Sequence, residues 1–169
     1  RLEEAVVTHS RFDGGEQTVK RLSLERGDSV AVLLVDRRRR VVCLIEQFRY
    51  STLKAGPGWL TEIPAGVVEQ GEPPRECARR EVAEETGFTV AALEHIATTY
   101  VSPGGTSERL LLYYAEVDGS SRDAALAERT RDPDEDIRLV ERDLDVFIDD
   151  AREGRMDDMK TLVAGLWLF

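Results

Sequence analysis

Three glutamates lie close together in the sequence, at Glu81, Glu84 and Glu85. On an α-helix, which turns by about 100° per residue, Glu81 and Glu85 are about 40° apart, and Glu84 lies about 60° to the other side of Glu81. Carboxylates spaced in this way repel one another and destabilise the helix. A hard divalent cation, which prefers oxygen ligands, would offset that repulsion. The alternative is a solvated helix face on which neighbouring arginines supply ordinary ion pairs.

The residues around the glutamates predict where their helix begins and ends. Pro73 and Pro74 suit the first helical turn, where no amide donor is needed. Gly87 suits the C-terminal end. We therefore predict a helix over residues 73–86.

The glutamates belong to a longer pattern of fixed spacing. Residues 66–88 read GVVEQGEPPRECARREVAEETGF, which is G-x5-E-x7-R-E-(apolar)-x-E-E-x-G-(apolar). This pattern resembles the box of the Nudix hydrolase family. The resemblance implies an α/β/α sandwich with a mixed β-sheet and the hydrolysis of a diphosphate with Mg²⁺, for which Mn²⁺ is a possible substitute.

Composition limits the alternatives. The chain has 169 residues, of which 41% are apolar and 33% charged, as expected for one domain with a full core. The apolar runs are too short to span a bilayer, so we expect no membrane partner. No signal pattern is present in the sequence, which begins at Arg1.

Net charge and cysteine content narrow the class of protein further. A formal net charge of −10 argues against a nucleic-acid binder, which needs a basic surface. An acidic protein that handles a phosphate needs local cations, either metal or arginine. Cys43 and Cys77 fit neither a disulfide framework nor a zinc pattern, so we expect a cytoplasmic protein, with Cys43 in the core.

The order of elements predicts one α/β domain preceded by an antiparallel strand pair. We predict strands at 4–11 and 18–26 around Asp13-Gly14-Gly15, and assign residues 1–28 to this pair and 29–169 to the main domain. Further strands are predicted at 29–36, 41–50, 59–63, 90–101, 109–117 and 137–140. A mobile loop with a short helix at 124–129 and two C-terminal helices at 143–153 and 158–168 complete the prediction. Too few strand–helix alternations are present for a doubly wound parallel sheet.

The family resemblance assigns roles to residues of the box and its approach. Glu81 and Glu85 match metal-ligand positions, and Ala65 matches a ligand through its backbone carbonyl. Arg80 is expected to pair with Glu72 and to orient the metal ligands.

Three further stretches resemble the ADP-ribose pyrophosphatase branch of the family. They are Ser102-Pro103-Gly104-Gly105-Thr106-Ser107-Glu108, with Pro103 fifteen positions after Phe88, Glu46-Gln47-Phe48-Arg49-Tyr50, and Gly58-Trp59-Leu60-Thr61-Glu62-Ile63-Pro64-Ala65-Gly66. Arg49 is either a contact to the diphosphate or a surface arginine at a strand end.

The resemblance also gives the residues around Pro103 a place at the substrate. Glu108 matches an acidic position near the terminal ribose. Gly104 and Gly105 would let backbone amides approach the substrate, and Pro103 marks the same binding segment.

The acidic segment 132–137 contains both a match and a departure. Glu135 matches a further metal-ligand position. The position of the general base proposed in the ADP-ribose enzymes holds Pro133, which cannot accept a proton. Asp134, Asp132 or Glu128 could replace it, a box glutamate such as Glu85 could serve, or activity on ADP-ribose could be weak.

The resemblance leads to a specific expectation with two rivals. We predict hydrolysis of ADP-ribose to AMP and ribose 5-phosphate by a homodimer whose N-terminal strands contribute to the interface. Lys160-Thr161-Leu162 resembles the branches that act on GDP-mannose or UDP-glucose, which makes those sugar nucleotides the first alternative. A non-catalytic nucleotide-sugar sensor is the second.

Overall fold

The computed structural model describes residues 1–130 and 134–169. The N-terminal strands β1 (Leu2–Ser10) and β2 (Glu16–Leu24) pair antiparallel and form a separate two-stranded sheet, as predicted. Both strands of this hairpin are almost entirely exposed, including several apolar side chains: Leu2, Val6, Val7, Leu22 and Leu24.

The central sheet of the described chain is mixed and has seven strands. Its path runs β5 (Trp59–Glu62), β4 (Val41–Phe48), β3 (Ser29–Asp36), β8 (Arg109–Glu116) and β7 (Glu94–Tyr100), while β6 (Ala65–Val67) pairs with β3 and β9 (Ile137–Asp143) with β4. Strands β3 and β8 are parallel, and the other pairs are antiparallel. The expected mixed sheet is therefore confirmed.

Strand β3 is buried along its whole length, which explains its continuous apolar sequence. A strand covered on both faces has no polar face to alternate with its apolar one. One face packs on α1 (Pro74–Thr86) through residues such as Val32, Val82 and Phe88. The other packs on α3 (Leu144–Arg152) and α4 (Met159–Trp167) through Leu33 and Phe147. Helices on both faces give the predicted α/β/α sandwich.

Helix α1 ends at Thr86 as predicted and begins at Pro74, one residue later than predicted. Pro74 occupies the first helical position and Gly87 ends the helix with φ of 78°, a left-handed conformation that favours glycine. A Cβ on Gly87 would lie 2.3 Å from the carbonyl oxygen of Asp123, just before α2 (Ala124–Thr130). Glycine is therefore required here both for conformation and for the close approach of α2.

The differences from the predicted elements are local. Strand β6 has only three residues and was not predicted, and β9 extends to Asp143 because it pairs with β4 along its whole length. Helices α3 and α4 begin one residue late, since Asp143 and Asp158 accept hydrogen bonds as their N-caps. Within the described residues, no helix has both the length and the apolar character needed to cross a bilayer.

Candidate active site

A cleft of about 1090 Å³ opens where the ends of β4, β5 and β6 meet α1 and the start of α4. Its described lining contains four basic side chains: Arg26, Arg49, Arg80 and Lys160. It also contains seven acidic ones: Glu62, Glu69, Glu81, Glu108, Glu135, Asp157 and Asp158. Apart from Arg26, these side chains belong to the main α/β body of the chain.

Glu85 is buried in contact with Ala65, which lines this cleft. Its side chain is only 3% exposed, and one carboxylate oxygen accepts a hydrogen bond from the backbone amide of Ala65 at 3.0 Å. Burial raises the pKa of Glu85 well above its ordinary value, and the negative charges of Glu81 and Glu135 raise it further. The predicted metal ligands on α1, on β6 and in the 134–136 segment are thus electrostatically coupled.

Glu81 occupies space that exists only because residue 66 is glycine. A Cβ on Gly66 would lie 1.9 Å from the carboxyl carbon of Glu81 and 2.0 Å from one of its oxygens. Gly66 is held in place by β6, where it pairs with Val30 of β3. Burial is the main cause that raises the pKa of Glu81, and the charges of Glu84 and Glu135 add to it.

Arg80 supplies positive charge to the glutamates of α1 and to Glu72. It binds both oxygens of Glu72 at 2.9 and 3.0 Å, and its Nη1 donates to Glu81 at 2.7 Å and Glu84 at 3.0 Å. The predicted pairing of Arg80 with Glu72 is therefore confirmed. One guanidinium cannot neutralise Glu81, Glu84 and Glu85 while it also holds Glu72.

The donor set of this group fits Mg²⁺. It consists of carboxylate oxygens with an excess of negative charge, and hard divalent cations prefer such ligands. In the described part of the chain, no three acidic, histidine or cysteine side chains already stand together closely enough to hold an ion. Glu81 is directed instead to Arg80, so metal binding would require Glu81 to exchange this partner.

The Glu72–Arg80 pair has a testable consequence for stability. The hydrogen bonds from Arg80 lower the pKa of Glu72 to about 2. A carboxylate whose pKa is lowered by folding stabilises the fold at any pH above its pKa in the unfolded chain. This contribution disappears as pH falls from about 4.5 towards 2. We expect Glu72→Gln to lower the free energy of unfolding by about 1.5–3 kcal/mol at pH 7, the usual range for hydrogen bonds to charged groups.

Urea unfolding at several pH values tests this expectation. The difference between the wild type and Glu72→Gln should shrink steadily below pH 4.5. A difference that stays constant between pH 7 and pH 3 would show that packing, rather than charge, makes Glu72 stabilising.

The two other predicted carboxylates of the acidic segment differ in position. Both are exposed, but Glu135 lines the cleft and Asp134 is not among the described lining residues. Glu128, another candidate base, is exposed on α2. Asp132 and Pro133 lie outside the described residues.

The segment around Pro103 lies against the N-terminal hairpin. The Gly105 carbonyl accepts from the amide of Leu24 at 2.8 Å, and Thr106 Oγ1 donates to the Leu24 carbonyl at 2.8 Å. Pro103, Gly104 and Gly105 are absent from the described lining of the cleft, and their contact with substrate stays a prediction. Glu108 does line the cleft, where it accepts a hydrogen bond from Ser29 and pairs with Arg26 at 3.6 Å.

The predicted site contained only part of the cleft. Arg49 was predicted, and it lines the cleft with its Nε donating to Glu62 at 2.7 Å. Glu62 itself and Lys160, which also donates to Glu62, were not predicted as site residues. Both belong to stretches that resemble branches of the Nudix family. No local pattern, however, indicates that two residues 98 positions apart in the sequence are in contact.

Neither cysteine was predicted as a site residue, although Cys77 Sγ accepts a hydrogen bond from Nη2 of Arg80 at 3.4 Å. Cys43 and Cys77 are buried and unpaired, and Cys43 lies in the core as predicted. Burial raises the pKa of each thiol to about 12, so both are protonated and unreactive at neutral pH.

Comparison with known proteins agrees with this geometry. A family model described as NUDIX domain matches residues 25–152. A GDP-mannose pyrophosphatase of Cronobacter sakazakii is 38% identical over 156 residues, covering 91% of this chain and 80% of the relative. An ADP-ribose pyrophosphatase of Escherichia coli K12 is 35% identical over 162 residues, covering 95% and 77%. A methanol dehydrogenase activator of Bacillus methanolicus is 35% identical over 152 residues, covering 90% and 77%.

The acidic helix beneath the cleft, the family match and the extent of similarity to these relatives lead to one conclusion. The chain belongs to the Nudix hydrolase family and is a hydrolase of phosphoric anhydride bonds.

Proposed function

We propose that the protein is a Mg²⁺-dependent pyrophosphatase that cleaves ADP-ribose to AMP and ribose 5-phosphate. The observation that carries this proposal is the electrostatic interaction of buried Glu85 with Glu81 and Glu135 at a cleft lined by Glu81, Glu135, Arg49 and Lys160. Clustered carboxylates favour a divalent cation, and nearby cations favour an anionic ligand. A diphosphate held against bound Mg²⁺ satisfies both.

Glu81, Glu85, Glu135 and the Ala65 carbonyl are the groups that would hold Mg²⁺. When bound, the ion neutralises charge on the phosphoryl oxygens and lowers the pKa of water. The amide of Ala65 holds the Glu85 carboxylate at 3.0 Å, whereas Glu81 would have to leave Arg80 to bind the ion. An ordered carboxylate such as Glu85 reduces the reorganisation needed when charge develops in the transition state.

The remaining predicted residues act on the substrate or on the proton. Arg49 contacts the diphosphate, and Glu108 binds near the terminal ribose, with Pro103, Gly104 and Gly105 along the same segment. Because Pro133 cannot accept a proton, a carboxylate of the neighbouring segment takes this role in the proposal. Asp134 is the candidate there with no assigned metal contact, whereas Glu135 and Glu85 are both assigned to Mg²⁺.

GDP-mannose is the second candidate substrate. Lys160, which belongs to the stretch resembling the branches that act on GDP-mannose or UDP-glucose, lines the cleft. A relative at 38% identity carries the name GDP-mannose pyrophosphatase. The name of this relative favours GDP-mannose over UDP-glucose as the alternative.

A substrate panel tests the proposal. We expect purified protein with Mg²⁺ to release AMP from ADP-ribose with a higher kcat/KM than it releases GMP from GDP-mannose or UMP from UDP-glucose. Higher kcat/KM for GDP-mannose would select the second candidate. No nucleoside monophosphate from any of the three, combined with tight metal-independent binding of ADP-ribose, would favour the sensor.

The N-terminal hairpin supports a homodimer. Its exposed apolar residues include Val6, which is 70% exposed, and Leu22, which is 55% exposed. We propose that residues 1–28 form a unit that contributes to the interface of a cytoplasmic dimer and that residues 29–169 form the hydrolase domain. Val6→Glu should shift the mass measured by light scattering from dimer to monomer, and an unchanged mass would exclude the hairpin from the interface.

A further inference from the structure

We propose that Glu62 is a positioning residue that holds Arg49 and Lys160 as a pair of cations for the two phosphates of the substrate. This inference rests on the proposed function for the identity of the ligand. It assigns to Glu62 a task that neither the metal ligands nor the box perform.

Glu62 is buried and uses each carboxylate oxygen for a different cation. It ends β5, is paired with Ile45 of β4, and is 1% exposed. Its Oε1 accepts from Nε and lies 2.7 Å from Nη2 of Arg49, while its Oε2 accepts from Nζ of Lys160. A buried carboxylate needs such partners, since an unpaired buried charge is strongly unfavourable.

Arg49 and Lys160 keep donors available for a ligand. A guanidinium has five N–H groups and an ammonium has three. Among the described residues, Glu62 is the one acceptor in contact with the Arg49 side chain. Lys160 has one more acceptor, Asp158, at 2.9 Å. Because both cations line the cleft, their remaining N–H groups can reach phosphate oxygens there.

The backbone around Glu62 also fixes both cations. The amide of Arg49 donates to the Gly58 carbonyl at 2.6 Å, next to the start of β5. The amide of Ile63 donates to Thr161 Oγ1 at 3.0 Å, which ties the first turn of α4 to the end of β5. Two long side chains from separate elements are therefore ordered before a ligand arrives, which lowers the entropy lost on binding.

Asp150 provides an internal comparison for a purely structural role. It is also a buried carboxylate, 8% exposed, and it pairs with two cations, Arg142 and Arg155. None of these three residues is among the described lining of the cleft. Replacing Asp150 should affect folding stability only, whereas replacing Glu62 should affect substrate binding.

The test is a double-mutant cycle with Glu62→Gln, Lys160→Met and the double variant, with Asp150→Asn as control. Steady-state kcat and KM are measured with Mg²⁺ for ADP-ribose and GDP-mannose, and thermal unfolding is recorded for each variant. We expect Glu62→Gln to raise KM roughly tenfold with a smaller change in kcat, because its amide would face the Lys160 ammonium. In the Lys160→Met background, Glu62→Gln should raise KM less than about threefold, because one of the two cations that Glu62 holds is already absent.

Each outcome decides the role of Glu62. An unchanged KM in Glu62→Gln, or effects that multiply fully in the double variant, would overturn it, as would an equal rise in KM for Asp150→Asn. If Glu62→Gln does not fold, the KM of Lys160→Met is compared with the KM of the double variant. Two values within about threefold of each other support the proposal, and a larger difference refutes it. Wild-type protein without turnover on either substrate would refute the proposed function instead, in which case the same cycle is read from the Kd of ADP-ribose.

Discussion

Glu85→Gln should abolish most of the activity while leaving the fold intact. Losing several kcal/mol of transition-state charge stabilisation lowers kcat by roughly three orders of magnitude or more, since about 1.4 kcal/mol corresponds to a factor of ten. Glutamine keeps the size of the side chain, and its carbonyl can still accept from the Ala65 amide that now donates to Glu85 at 3.0 Å. Steady-state turnover of ADP-ribose or GDP-mannose measures the loss.

The same substitution should not lower stability when metal is absent. Burial raises the pKa of Glu85, so at a pH above the ordinary pKa of an unfolded glutamate this carboxyl imposes a free-energy penalty on folding. Glutamine removes that penalty, and we expect the melting temperature in EDTA to stay equal or rise. Added Mg²⁺ should raise the melting temperature of the wild type but not of Glu85→Gln.

Glu76→Gln is the matched control on the same helix. Glu76 lies in the first turn of α1, is exposed and pairs with Arg79 at 2.6 Å. It should retain wild-type kcat and the wild-type response to Mg²⁺. A loss of less than tenfold in Glu85→Gln would contradict the assignment of Glu85 to the metal.

Gly66→Ala should weaken the binding of Mg²⁺ far more than it lowers folding stability. The new Cβ would overlap the Glu81 carboxylate, whose atoms lie 1.9–2.4 Å from its position. A carboxylate at the end of a flexible side chain can move aside, so the backbone need not shift. Displacing a metal ligand should raise the Mg²⁺ concentration for half-maximal activity by about 10–100-fold, the range seen when metal ligands are perturbed through their surroundings.

Mg²⁺ titrations of activity, together with thermal unfolding, check this expectation. Gly56→Ala is the control, since its Cβ would make only an ordinary contact at 3.9 Å with the Thr52 carbonyl oxygen. An unchanged Mg²⁺ requirement in Gly66→Ala would mean that Glu81 is not a metal ligand in the position inferred here.

The sequence predicted the parts of the fold whose signals are local. The apolar run of β3 and the proline and glycine at the ends of α1 identify those elements within one or two residues. Strand β6 escaped prediction because three residues cannot display a period, and it exists through its pairing with Ser29–Ala31. Its position nevertheless decides where Gly66 and Ala65 meet the glutamates.

The site residues likewise divide into those that a local sequence pattern predicts and those that only long-range packing brings to the site. Glu81, Glu85 and Arg80 follow from one helix and its spacing. Lys160 could not be placed, because its approach to Glu62 depends on how α4 packs on the sheet. The contact of Gly105 with Leu24 is likewise a long-range pairing that no local pattern contains.

The anchoring of α4 has a practical consequence for protein production. The matched NUDIX segment ends at residue 152, seven positions before α4 begins at Met159. A fragment trimmed to that segment would lose Thr161 beside Ile63 and would uncover Leu33 of β3 and Phe147 of α3, which share a core cluster with Ala164 of α4. Such a fragment would keep every residue of the box and still aggregate, so expression boundaries for this protein should extend past Trp167.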